Sequence, residues 1–427
     1  MPSVFYYTLG CKLNYSETST YQRQFEAQGC KSVPTPTEAT ICILNSCAVT
    51  EQAQKKCRQE LHKMRRLHPE AFIVLVGCYA DLMLKEAQVI DTVDLIVARH
   101  DKRRLAELVL DSLQGKAHTP SCTAGDENYF PAFSKGGRTR AFLKIQDGCN
   151  YHCTYCAIPQ ARGENRSATI AEVLEQVQAI AEAGILEVVI TGVNTGDFGK
   201  AHHERFIDLM RALDTIEAIQ RYRISSLEPN LLSNDLIDFV AKSRAFLPHF
   251  HIPLQSGSDA VLRAMGRRYT TQRYAERIAK AREWVGNFFL GIDLIVGFPG
   301  ETEADFEKTY HFLEELAPSY LHLFPYSQRP DTPAATYPNQ VPPMVIKRRM
   351  EQLMQLNAAL QERYTHLFIN TTQKVLVERI SKDGVAEGHT ENYLPTKFSV
   401  KKAQHATIVP VLLTDYLGEG IVAGKEI

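Results

Sequence analysis

The stretch Asp147-Gly148-Cys149-Asn150-Tyr151-His152-Cys153-Thr154-Tyr155-Cys156 sets three cysteines in C-x3-C-x2-C spacing just after the apolar run Arg140–Ile145, which reads as a strand. Gly148 supplies the backbone freedom for a sharp turn after that strand. Three thiolates this close can converge on one iron–sulfur cube. Three cysteines on a four-iron cube leave one iron without a protein ligand, and an open metal position is where a small molecule binds and reacts. The alternative is a zinc knuckle closed by His152 or a distant fourth ligand. Structural zinc normally takes four protein ligands in recognisable pairs, and the chain has no second CxxC pair.

Outward from this motif, strand and helix patterns alternate from residue 138 to about 328. Strand candidates are Arg140–Ile145, Glu187–Thr191, Arg221–Ser225, His249–Leu254, Phe288–Val296 and Tyr320–Tyr326. The helices between them are Ile170–Ala183, Phe206–Ile216, Asp235–Ala241, Thr271–Val285 and Glu303–Leu316. Six βα steps predict a partial (β/α)6 barrel with its active site at the strands' C-terminal ends. A long basic helix follows the Pro342–Pro343 pair and closes this unit, residues 138–367.

Residues 1–115 predict a second α/β unit, with strands Val4–Leu9, Thr40–Leu44, Phe72–Val76 and Leu95–Val97 and helices Glu17–Gln28 and Glu51–Leu67. Strand–helix alternation argues for a parallel sheet. Cys11, Cys47 and Cys78 each end one of these strands and each follow a small residue, Gly10, Ser46 or Gly77. Ligand crevices of open α/β sheets lie outside the carboxyl ends of strands, so these thiols are expected on one rim, as a second three-cysteine metal site. Cys30, Cys42, Cys57 and Cys122 carry no such signature and read as packing or linker residues. Residues 116–137, rich in glycine and proline, read as a linker. Residues 368–427 hold short strands between Gly- and Asn-rich turns and predict a small all-β barrel.

Composition sets the outer limits. The chain has 427 residues, 48 basic and 49 acidic, for a formal net charge of −1, and 44% hydrophobic residues. That balance excludes a generic polycation, so a nucleic-acid partner must be met by local patches. Basic runs occur at Lys55–Arg66, Arg99–Arg104, Arg263–Arg282 and Lys347–Arg349. No apolar run nears the roughly 18 residues that span a bilayer, and the N-terminus lacks a secretory pattern. A cytoplasmic protein without a membrane anchor is expected.

The cysteine motif Cys149/Cys153/Cys156 resembles that of the radical SAM superfamily. Thr8-Leu-Gly-Cys-Lys-Leu-Asn14, Leu44-Asn-Ser-Cys-Ala-Val-Thr50 and Val76-Gly-Cys78 resemble the N-terminal domain of the methylthiotransferases, and Glu387-Gly-His-Thr-Glu-Asn-Tyr-Leu394 resembles their RNA-binding TRAM domain. Asn45–Thr50 and Thr191–Gly199 look most like the branch acting on N6-threonylcarbamoyladenosine at tRNA position 37. Sister branches modify N6-isopentenyladenosine or a ribosomal-protein aspartate.

The resemblance implies two [4Fe–4S] clusters, S-adenosylmethionine (SAM), a tRNA anticodon stem-loop substrate, a flavodoxin- or ferredoxin-like electron donor and a monomeric enzyme. SAM would chelate the open iron at Cys149/Cys153/Cys156 and be cleaved there. The Cys11/Cys47/Cys78 cluster would supply or carry sulfur, and a second SAM would supply the methyl group. Implied SAM contacts are Tyr155, Gly192, Asn194, Ser226, Glu228, Gln255, Val296 and Gly297. Implied substrate contacts are Arg162, Arg166, His389 and Asn392. From another class, a non-catalytic iron–sulfur or zinc RNA-binding protein fits the barrel and the basic patches.

Overall fold

The computed structural model describes residues 1–48, 50–85, 91–116, 129–135 and 139–427. The N-terminal unit runs β1 (Ser3–Thr8), α1 (Lys12–Ala27), β2 (Lys31–Ser32), β3 (Ile41–Ser46), α2 (Glu51–Leu67), β4 (Phe72–Gly77), α3 (Cys78–Lys85), β5 (Leu95–Ile96) and α4 (Leu105–Leu113). Its sheet is wholly parallel in the order β2-β1-β3-β4-β5. Every residue of β3 is buried, as a central parallel strand covered on both faces requires. Thr8 pairs with Asn45 and Ser46 with Gly77, so the three cysteine-bearing strands end level.

Helix α1 begins at Lys12, five residues before the helix expected at Glu17. The reason is chemical: Asn14, Ser16, Glu17 and Thr18 are buried polar residues, so the inward face of the first turn carries no apolar period. They face the second unit, where α1 packs on β6 (Ala132–Phe133) and β7 (Arg140–Lys144).

Beyond β7 come β8 (Gln146–Asp147), α5 (Ile158–Arg162), β9 (Arg166–Ser167), α6 (Ile170–Glu182), β10 (Glu187–Thr191), α7 (Phe206–Asp214), β11 (Arg221–Ile224), α8 (Asn234–Lys242), β12 (His249–His251), α9 (Asp259–Ala264), α10 (Thr271–Val285), β13 (Phe289–Val296), α11 (Glu303–Leu316) and β14 (Tyr320–Pro325). The six expected strands are β7, β10, β11, β12, β13 and β14. They pair in parallel as β7-β10-β11 and β12-β13-β14, and a parallel bridge from Tyr222 to Phe246 joins the two groups. Among the described residues no pairing closes β14 onto β7, so the barrel is partial.

The stretch read as a linker contributes structure. Strand β6 runs antiparallel on the β7 edge, Phe130 stacks on Tyr21 with ring centroids 5.6 Å apart, and the Phe133 carbonyl accepts from Arg23 at 2.8 Å. The rest of the expected linker, 117–128 and 136–137, with Cys122, lies outside the described residues.

Helix α12 (Pro343–His366) leads to β15 (Thr372–Ile380), β16 (Val385–Thr390), β17 (Pro395–Ser399), β18 (Ile408–Gly418) and β19 (Ile421–Glu426). These form a closed barrel in the order β15-β16-β17-β19-β18. It docks on the central unit through β11. Arg221 donates to the Lys374 carbonyl at 2.8 Å, and Arg223 to the Thr390 and Glu391 carbonyls, each at 2.8 Å. No helix among the described residues is long and apolar enough to cross a membrane.

Candidate active site

The Cys149 loop is closed at its base by β8 against β9, where Gln146 pairs with Ser167 and Asp147 with Arg166. Gly148 has φ +68°, and a Cβ there would lie 1.9 Å from the Glu164 carbonyl oxygen, so a side chain is sterically impossible. The Cys149 N–H donates to Gly163 O at 3.1 Å and the Thr154 N–H to Met265 O at 3.0 Å. The thiols are held from outside as well. The Tyr151 N–H meets Cys149 Sγ at 3.3 Å, and Arg267 Nη1 meets Cys153 Sγ at 3.2 Å. Burial pushes the Cys149 thiol up to about 11 and the Cys156 thiol up to about 12, with neighbouring cysteines adding repulsion. A metal that displaces those protons supplies the charge such a trio lacks.

The second trio sits as its strand ends dictate. Cys11 caps α1, Cys78 opens α3, and Cys47 follows β3. Asn14 Nδ2 donates to Leu9 O at 2.8 Å and Ser46 O at 2.9 Å, tying two strand ends together. Burial, opposed by Arg162 and Lys102 and reinforced by Cys11 and Cys47, pushes the Cys78 thiol up to about 12. The three thiols therefore share one electrostatic neighbourhood. Among the described residues, neither trio gathers its sulfurs within 4.8 Å of one another. Cys57 lies beneath this site, its Sγ 3.5 Å from the Cys47 carbonyl.

Between the two trios runs a buried ionic network. Glu17 of α1 meets Lys144 at 2.9 Å, Lys102 at 3.1 Å and Arg162 at 3.3 Å. Asp147 meets Arg162 at 2.8 Å, Lys144 at 3.1 Å and Arg166 at 3.5 Å. Arg162 also donates to Asn14 Oδ1 at 2.5 Å. Arg162, expected at the substrate nucleotide, is 2% exposed and engaged by these carboxylates, and Arg166 joins the same network. Nothing in the periodicity marks this lock, because its members are single charges on elements far apart in sequence.

The strand-end candidates gather at one rim. The Asn194 N–H donates to Gln146 Oε1 at 2.9 Å, and the Asn194 Oδ1 accepts from the Glu228 N–H at 3.4 Å. A Cβ at Gly192 would press on the same Gln146, 2.9 Å from Oε1. Glu228 pairs with Arg267, which reaches Cys153. Tyr155 meets Phe298 edge-on at 6.5 Å, next to Val296 and Gly297. Ser226 and Gln255 are non-glycine residues with φ of +45° and +68°, and left-handed backbone of this kind concentrates at functional sites. Arg267 escaped the sequence reading, which saw it only as part of a basic run.

The implied RNA contacts stand differently. His389 Nδ1 lies 2.9 Å from Glu378. Asn392 is buried and its Oδ1 accepts from Thr390 Oγ1 at 2.5 Å. Their turn faces the central unit, held there by Arg223. Several basic-run members also serve the fold: Lys102 and Arg349 are buried in ion pairs with Glu17 and Glu301.

Family models match the chain twice: the radical SAM superfamily over residues 143–313, and the uncharacterized protein family UPF0004 over residues 3–98. The Bacillus subtilis threonylcarbamoyladenosine tRNA methylthiotransferase MtaB is 36% identical, over 96% of this chain and 93% of its own. The protein of that name from Thermotoga maritima is 34% identical, over 93% and 92%. The tRNA-2-methylthio-N(6)-dimethylallyladenosine synthase of Syntrophotalea carbinolica is 31% identical, over 99% and 100%. Among solved structures, the radical SAM methyltransferase TsrM of Kitasatospora setae superposes with TM-score 0.57 at 15% identity, over 78% of this chain and 75% of that one, which speaks for the shared fold. With this full-length similarity, the chain belongs to the radical SAM methylthiotransferase family, whose cofactors include SAM and a [4Fe–4S] cluster.

Proposed function

We propose that the chain transfers a methylthio group to carbon 2 of N6-threonylcarbamoyladenosine at tRNA position 37, using one cluster site at Cys149/Cys153/Cys156 and a second at Cys11/Cys47/Cys78. When bound, the clusters and SAM supply the radical and sulfur chemistry that an adenine C–H bond, too weakly acidic for acid–base catalysis, requires. The protein's part is to hold and orient them. The Cys149, Cys153 and Cys156 thiols of the loop behind Gly148 lie close enough to repel one another, and Arg267 bridges that loop to Glu228 at the rim where SAM is expected. Gln146 and Asn194 fix the neighbouring strand ends.

The observation that carries this reading is the lock between the trios. Arg162 donates to Asp147 Oδ1 at 2.8 Å, two residues before Cys149, and to Asn14 Oδ1 at 2.5 Å, the oxygen that also meets Cys11 Sγ at 3.7 Å. This supports a reading in which the two cysteine sites face one domain junction, as sulfur delivery to a radical site requires.

The test is an anaerobic assay of reconstituted enzyme on tRNA carrying either the threonylcarbamoyl or the dimethylallyl adenosine, read by nucleoside mass spectrometry and 5′-deoxyadenosine release. Wild type should methylthiolate the first substrate. Cys153→Ala should abolish 5′-deoxyadenosine formation. Cys47→Ala should retain some SAM cleavage and insert no sulfur. Full methylthiolation by Cys47→Ala would remove the second site from the account. Activity on the dimethylallyl substrate alone would move the chain to that branch, and no SAM cleavage by wild type would favour a binding protein.

A further inference from the structure

A cavity of about 320 Å³ opens where α1, β12 to β14, α12 and the C-terminal barrel meet. That is within the size range of small-ligand pockets, about 300–1,000 Å³. Its walls include Phe289 and Tyr393, and its polar members include Lys12, His251 and His322. Its place in the chain is informative. Lys12 directly follows Cys11. Asp293, whose carboxylate lies within 4.8 Å of the lining rings His251 and His322, takes the Gln255 N–H on its carbonyl at 2.8 Å, so the cavity reaches up the barrel interior toward the strand ends where SAM is expected. The cavity thus has the residue after Cys11 on one wall and the lower parts of β12 to β14, beneath the cofactor rim, on another.

Lys12 is the anomaly. It makes no hydrogen bond, and no ion pair within 4 Å, with any described residue. Arg140 and Arg223 lie near enough to repel it, and Tyr393 and Asp293 to attract it. The nearby carboxylates are already partnered: Asp293 with His251 at 2.7 Å, Glu187 with Arg223 at 2.7 Å, and Glu378 with Arg140 at 3.1 Å. A part-buried ammonium without a partner is costly, and an incoming anion relieves it. The polar atoms of His251, Asp293 and His322 lie within 4.8 Å of one another. Burial pushes the His322 pKa down to about 4, so that ring is neutral at pH 7 and can exchange hydrogen bonds without adding charge.

A threonylcarbamoyl substituent presents ureido N–H groups, a hydroxyl and one carboxylate. A dimethylallyl group presents only carbon. We infer that this cavity is the specificity subsite for the substituent on the target adenosine, with Lys12 as counter-ion to its carboxylate and Asp293, His251 and His322 as the hydrogen-bonding floor for its ureido and hydroxyl groups. The inference rests on the tRNA reading of the preceding section and assigns the part of the site that chooses the nucleoside. A site built for polar groups discriminates strongly against an analogue that lacks them, because its own polar groups are then left unpaired.

The experiment uses full-length reconstituted enzyme and three tRNAs: threonylcarbamoyl adenosine, the same nucleoside with its carboxylate capped as a methyl ester, and dimethylallyl adenosine. Wild type should prefer the free acid to the ester by about tenfold or more in kcat/KM. Lys12→Met should raise KM for the acid about tenfold and erase the acid-over-ester preference, with Lys12→Arg restoring part of it. Equal use of acid and ester by wild type, or an unchanged preference in Lys12→Met, overturns the inference while leaving the tRNA function intact. Wild type acting on the dimethylallyl substrate alone overturns both. Should Lys12→Met disturb iron binding at the adjacent Cys11, the ester comparison in wild type decides the matter without a variant.

Discussion

Glu17 is a carboxylate with no exposure and three cationic partners. Desolvation alone would raise its pKa, but Lys102, Lys144 and Arg162 overcome it and hold the carboxyl well below the usual range. Removing one member of a buried ion network strands the others, at a cost of about 3–5 kcal/mol. Glu17→Gln should therefore lower the melting temperature and loosen the N-terminal unit, read by differential scanning calorimetry; a variant as stable as wild type would contradict this role. The sign for pH follows from the depressed folded pKa. Glu17 contributes stability above its unfolded value of about 4.3, and that contribution is lost as pH falls further. None of this was legible beforehand. A lone Glu, Lys or Arg on a polar stretch reads as solvated surface until the fold brings its partners from elements 85 to 145 residues away. The two cysteine trios could be picked out because spacing and strand-end position are local properties.

The three strands of the auxiliary site end level, and their cysteines depend on what precedes them. Gly10 has φ +113°, and a Cβ there would stand 3.1 Å from the Cys47 Cβ and 3.0 Å from Asn14 Nδ2. Gly77, at φ +100°, faces backbone and side-chain atoms of Ser46 and Asn45 at 2.5–2.7 Å. Gly10→Ala should thus displace Cys47 and lower bound iron from about eight to about four per chain while 5′-deoxyadenosine formation persists; unchanged iron would show that the rim has slack. The small residues before the cysteines were visible in the sequence, and the structure supplies the reason for two of them. The apolar run of β13 and the Cys57, Leu61 and Met64 helical spacing of α2 were equally legible. Strand β17 was not: it opens on a proline and buries only Thr396 and Phe398, too short a signal to separate from a turn. The early start of α1 was hidden for the opposite reason, since its buried face is polar.

At the scale of the whole molecule, the small barrel is joined to the central unit through arginine–carbonyl contacts and an aromatic seam. His249 stacks on Phe289 with centroids 5.1 Å apart and meets Tyr393 edge-on at 4.9 Å. Burial, with Arg223, Lys12 and His251 nearby, holds its pKa well below the usual histidine value. Here the unfolded chain binds the proton first, so stability falls as pH drops below about 6.5. Melting curves should move to lower temperature between pH 7 and pH 5, and His249→Gln should flatten that dependence; an equal slope in the variant would assign it elsewhere. The same seam turns the small barrel inward, so that Tyr393 and Leu394 line the cavity beside Lys12.

The central claim is that six thiolates form two separate iron sites, and metal analysis tests it most directly. Iron and acid-labile sulfide should be counted in anaerobically reconstituted wild type, in the Cys11/Cys47/Cys78→Ala triple variant and in the Cys149/Cys153/Cys156→Ala triple variant. The account predicts about eight irons in the wild type and about four in each variant. Wild type holding only about four, or either triple variant keeping the wild-type content, would contradict it.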